Sequence, residues 1–148
     1  MFLPAGDKQF SFWKLRRSGM PNSAIAHLLG ISRQAVSRAL LAMDERVESA
    51  LREMAQANQI IPEKIHAGRG VLIGRSLPFR TAAIIFVSEK HGVQVWYEHD
   101  GDCGTCPRHA ACTELLRDYA AELGLRIRKT ADPTAMAEEL FVKVKEIA

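Results

Sequence analysis

The sequence predicts a mainly α-helical front half, a long connecting helix and a small α+β rear domain, divided as residues 1–42, 43–62 and 63–148. Three observations lead there. From Phe10 to Ile61 apolar residues recur every three or four positions, the spacing of helix faces, interrupted at Ser18-Gly19 and at Gly30. TAAIIFVS and VQVWYEH, separated by Lys90-His91-Gly92, have the β-branched and alternating texture of a hairpin. TELLRDYAAEL and the stretch after Asp132-Pro133 return to helical spacing.

In the front half, Phe12, Leu15 and Arg16 open a first helix that Ser18-Gly19 stops. Asn22 or Ser23 caps a second, whose apolar face is Ile25, Ala26, Leu28 and Leu29. Gly30 permits the left-handed backbone of a tight turn, and Ser32 caps a third helix from Arg33. Ile25, Leu29, Ile31, Val36 and Ala39 are expected to pack between the helices. The first 42 residues carry six basic side chains, Lys8, Lys14, Arg16, Arg17, Arg33 and Arg38, against the single acid Asp7. Such asymmetry in a chain of net charge +3 suggests a polyanionic partner, although a solvated charged face would look the same.

The stretch AIAHLLGISRQAVSRAL resembles the helix-turn-helix of DNA-binding regulators, near the sigma-region-4 and LuxR-type versions and, more loosely, the archaeal Tfx-type regulators. The resemblance covers about 20 residues and implies double-stranded DNA as partner. On it the third helix enters the major groove with Arg33, Gln34, Ser37 and Arg38 outward, arginine suiting guanine and glutamine adenine. Ser32, Lys14, Arg16 and Arg17 are expected on phosphates.

Helical spacing then runs on to Pro62, the expected stop. Leu40, Met43, Val47, Ala50, Met54, Ala57 and Ile61 form a heptad seam that could pair two copies into a homodimer through the 40–61 helix, or pack on the chain's own rear domain. Beyond it, TAAIIFVS reads as a buried strand, VQVWYEH as its hairpin partner, TELLRDYAAEL as a helix ended by Gly124, LRIRK as a short strand and the residues after Asp132 as a last helix. The glycines of GRGVLIG do not match the dinucleotide-binding fingerprint and read as turn residues.

All three cysteines fall in DCGTCPRHAAC, spaced C-x2-C-x5-C. An odd, clustered set argues against a disulfide framework and for a reducing, cytoplasmic setting. The N-terminal stretch lacks the layout of a secretory signal, and no apolar run is long enough to span a membrane. The spacing resembles that of FNR-type oxygen-sensing regulators and of the endonuclease III cluster loop, which implies a [4Fe–4S] cluster on Cys103, Cys106 and Cys112. The fourth cysteine of those families is absent, leaving His99, His91, His109, Asp100 or Asp102 as its replacement, or an open iron. Zinc is the alternative, and redox-active thiols a third possibility. The expectation is a regulator that senses redox state or oxygen, or one holding structural zinc and a small-molecule effector. No base and nucleophile pair stands near the cysteines, so an enzyme is not expected; a thiol-redox or iron–sulfur enzyme is the rival of a different class.

Overall fold

A computed structural model of the chain describes residues 8–98, 107–127 and 132–147. Three helices come first: α1 (Lys8–Arg17), α2 (Asn22–Leu29) and α3 (Arg33–Ala57). Four strands follow, β1 (Ile60–His66), β2 (Val71–Ser76), β3 (Thr81–Ser88) and β4 (Gly92–Tyr97), then α4 (His109–Glu122) and α5 (Pro133–Ile147). The strands form one antiparallel sheet in the order β1-β2-β3-β4. The architecture is mixed α+β, with the sheet between two helical layers.

β3 explains this layering. Its side chains alternate, and both sets are buried: Ala83, Ile85 and Val87 face α1 and α3, whereas Ile84 and Phe86 face α4 and α5. A strand covered on both faces has no polar alternation, which is why TAAIIFVS is an almost unbroken apolar run. The front core joins Trp13, Ile25, Val36, Met43 and Leu51 to Leu72 and Ile85. The rear core joins Phe86 to Tyr119, Leu140 and Phe141. Phe86 stacks on Tyr119 with ring centroids 4.1 Å apart.

The heptad seam is consumed inside this front core. Leu40, Met43 and Val47, with Leu51 and Ala55, are buried among residues of α1, α2 and the sheet of the same chain, and Ala50 is buried too. Met54 is half-buried, and Ala57 and Ile61 are exposed. Homodimer pairing through this seam is therefore corrected: its apolar stripe already has an intramolecular partner. The expected boundary at residue 42 lies within α3, an unbroken helix.

Pro62 does not end the helix either. Asn58 does, its side-chain amide donating to Met54 O at 2.9 Å, and Gln59 turns the chain at φ 54°. Ile60 already begins β1, which sequence reading missed. Pro62 sits on this edge strand, where its absent N–H costs little, and the register with β2 shifts between Pro62 and Lys64. Gly74 is not a turn residue. It lies in β2, and a Cβ there would stand 2.4 Å from Ile61 O, so glycine permits close approach of β1.

Leu125–Ile127 form no strand, and the rest of LRIRK lies outside the described residues. α4 ends at Gly124 as expected, with φ 69° and its N–H donating to Ala121 O. Among the described residues no helix is long and apolar enough to cross a membrane.

Candidate nucleic-acid interface

The geometry at the start of α3 follows from a few local interactions. Gly30 adopts φ 65°, ψ 34°, and Ile31 N–H returns to Ala26 O at 3.1 Å, closing α2. Ser32 is extended, and its hydroxyl accepts from Ala35 N–H at 3.1 Å, opening α3 as expected. At the head of α2 the capping position is Pro21, with no side-chain cap; Asn22 is already helical, so neither Asn22 nor Ser23 caps it. Buried Ile25, Ala26 and Val36 hold α2 against α3. Leu29 and Ile31 do not pack as expected: with Leu28, they are 41%, 37% and 61% exposed.

The consequence is an outward face on the first two turns of α3. Arg33, Gln34, Ser37 and Arg38 are all exposed and together line a shallow depression. Positions i, i+1, i+4 and i+5 share one side of a helix. Two guanidinium groups, an amide and a hydroxyl thus project together from a helix N-terminus, where the macrodipole adds positive potential. From Lys8 to Met43 the chain has no Asp or Glu to offset them.

The expected phosphate contacts divide. Ser32 is exposed beside this face. Lys14 is half-buried, its ammonium 5.4 Å from the Phe10 ring centroid. Arg16 is held by Asp44 of α3, with Nη1 donating to Oδ2 at 3.1 Å and Nη2 paired to Oδ1. Arg17 is corrected outright. It is 1% exposed, its guanidinium lies 4.5 Å over the Trp13 ring, and it donates to Val87 O. It cannot reach a phosphate.

Arg17 is instead the centre of a buried junction that sequence reading missed. Its Nη2 lies 3.4 Å from Glu89 and 3.6 Å from Glu122 at the end of α4. Glu122 also accepts from Ser88 Oγ at 3.0 Å, Glu89 N–H at 3.1 Å and Lys90 N–H at 3.3 Å. Burial lowers the pKa of Arg17, while Tyr119, Glu122 and Glu89 oppose that shift. The signal was present in the sequence: Phe10, Trp13 and Arg17 fall at i, i+3 and i+7, one stripe of α1.

Of the cysteine-segment residues, Cys103, Cys106, His99, Asp100 and Asp102 lie outside the described residues. Cys112 and His109 both belong to α4. They lie one turn apart on one side of α4, in its first turn, and both are half-buried. A thiol and an imidazole on one side of a helix are donors of the kinds that zinc and iron–sulfur centres take. His91 is engaged elsewhere: its Nε2 lies 2.8 Å from Asp118 Oδ2, six residues and about 9 Å along α4 from Cys112. That hydrogen bond, with Lys90 at 3.3 Å, holds the Asp118 carboxyl below its ordinary range. Lys90 is itself raised by Glu114 and Asp118. Among the described residues no three His, Cys, Asp or Glu side chains are grouped to hold a metal ion.

No protein-family model, curated protein or solved structure matches this chain.

Proposed function

We propose that this chain is a sequence-specific, double-stranded DNA-binding transcription regulator that reads the major groove with Arg33, Gln34, Ser37 and Arg38. The observation that carries the reading is the coincidence of these four exposed side chains on a capped helix start, in a stretch without acids. Arginine offers a bidentate match to guanine and glutamine to adenine, while Ser32 and Lys14 serve the phosphates. Arg16 and Arg17 are left out of the contact set, since one is paired to Asp44 and the other is buried. A two-half-site operator would require copies joined by a surface other than the α3 seam.

The regulatory half of the proposal is a redox- or oxygen-responsive [4Fe–4S] centre on Cys103, Cys106 and Cys112, with His109, His99 or Asp102 completing the set; zinc is the alternative. Such a cluster would supply an oxidant-sensitive bond set whose loss removes order from the segment that holds it. This chain's own contribution is α4. It carries Cys112 in its first turn and ends at Glu122 against Arg17 of α1, so a shift of α4 would be transmitted to the front helices through a buried ion pair.

Selection from random duplexes, followed by anisotropy titration of Arg33→Ala and Arg38→Ala, tests the reading face. Each substitution should cost about 1–3 kcal/mol on the selected site and little on unrelated duplex. Selection that enriches no sequence, or two variants that discriminate as well as the parent, refutes it. Anaerobic purification with iron and sulfide assay, repeated for Cys112→Ser, separates cluster from zinc.

A further inference from the structure

A cleft opens between the sheet and α5, on the side away from α1–α3, with a volume of about 580 Å³. Small-molecule sites typically occupy 300–1,000 Å³. Its floor is Ile73, Ile84 and Trp96, aligned across β2, β3 and β4 by the strand register. The opening exists because the next position on the same face of β3 is Ala82, and because α5 presents Ala137 beside Phe141. The Trp96 and Phe141 rings meet at 46° with centroids 6.0 Å apart.

The rim is not neutral. Glu98, where β4 ends, and Glu138, on α5, are both exposed, and among the described residues neither carboxylate pairs with a cationic side chain. Lys145 lines the same wall two helical turns beyond Glu138, about 10 Å away. Among the described residues it forms no ion pair with either carboxylate, so the rim carries two negative charges against one positive. Two carboxylates over aromatic walls complement a positive charge twice, by ion pairing and by the negative faces of the rings.

We infer that this cleft binds a small organic cation with an apolar body, of the aryl-alkylamine class. The ammonium sits between Glu98 and Glu138, and the apolar body lies on Trp96 against Phe141. The site lies on the opposite face of the sheet from Arg33–Arg38, and its occupation is measurable without DNA, so it stands or falls separately from the groove-reading proposal.

Isothermal titration calorimetry of the full chain with 2-phenylethylammonium tests it, using 3-phenylpropanoate as a probe of similar shape and opposite charge. One ammonium ion should bind per chain, and the carboxylate at least about tenfold more weakly. The Glu98→Gln/Glu138→Gln double variant should lose about tenfold in affinity for the ammonium. Ala82→Leu, which fills the cleft, should abolish binding. Circular dichroism monitors folding, and the exposed glutamine pair remains informative if the leucine variant does not fold. Equal affinity for the two probes, unchanged affinity in the glutamine pair, or no heat together with no shift of the Trp96 indole N–H resonance at millimolar ammonium overturns the assignment.

Discussion

Replacing Glu122 with glutamine, alone and beside Arg17→Met, measures how strongly the front helices are tied to the rear layer. Glu122 is 10% exposed and Arg17 not at all, so their 3.6 Å pair is shielded from water. Removing one partner of such a pair typically costs about 3–5 kcal/mol, because the other is left buried and charged. Here Glu89 remains 3.4 Å from the same guanidinium and Val87 O still accepts from it, which places Glu122→Gln nearer about 2–3 kcal/mol. Methionine at 17 keeps an unbranched apolar stem over Trp13 and carries no charge needing a partner. In that background Glu122→Gln should cost about 1–2 kcal/mol less, what remains being the acceptor lost to the Ser88, Glu89 and Lys90 donors, which both backgrounds share. Urea unfolding at neutral pH, followed by far-ultraviolet circular dichroism to avoid the fluorescence of Trp13, gives the four free energies. Costs in the two backgrounds that agree within about 0.5 kcal/mol would show that the pair carries no coupling, and the junction between α1 and α4 would lose its physical basis.

Two contrasts bear on the same packing. Gly70→Ala should destabilise by about 2 kcal/mol or more, since φ is 70° and the new Cβ would stand 2.8 Å from the Trp13 ring, whereas Gly30→Ala, at φ 65° with nothing within 4 Å, should cost only about 1 kcal/mol; thermal melts that rank them the other way refute the Trp13 contact. Tyr119→Phe should be neutral or stabilising by up to about 1 kcal/mol at neutral pH, because the buried Tyr119 hydroxyl has no hydrogen-bond partner among the described residues. Burial also raises the Tyr119 pKa beyond the ordinary phenol range, so the unfolded chain loses that proton first: stability is intact below about pH 10 and falls as pH rises above it, a decline that Tyr119→Phe should lessen in alkaline urea titrations.

How much was legible in the sequence depends on whether a feature is set locally. Gly30, the Ser32 cap, the β3–β4 hairpin and the Gly124 stop are fixed by residues within a turn of themselves, and they stand where local chemistry puts them. The stripe from Leu40 to Ala50 was equally plain, but a stripe states only that something covers it; a second copy and the chain's own sheet leave the same trace. β1 was hidden because Pro62 reads as a helix stop, and because an edge strand with most of its residues exposed has no apolar alternation to betray it. Arg16 and Arg17 differ for a related reason. Neighbours on a helix point about 100° apart, so one faces Asp44 near the surface and the other the core, and a count of basic residues weighs them alike.

The continuity of α3 changes what regulation would require. From Gln34 to Leu51 is a rise of about 25 Å at ~1.5 Å per residue, with the far end locked among Leu72, Ile85 and Val87. The near end is packed as well, since Val36, Leu40 and Met43 are buried with residues of α1 and α2, so those helices and the start of α3 would move together. A tilt of about 10° at the sheet would carry the Arg33–Arg38 face on the order of 4 Å, comparable to the ~3.4 Å between successive bases. On the proposed DNA-binding reading, a shift of that size would by itself put the face out of register with the bases. β3, which buries alternate residues against each helical layer, is the element that joins the rear layer to the seat of α3.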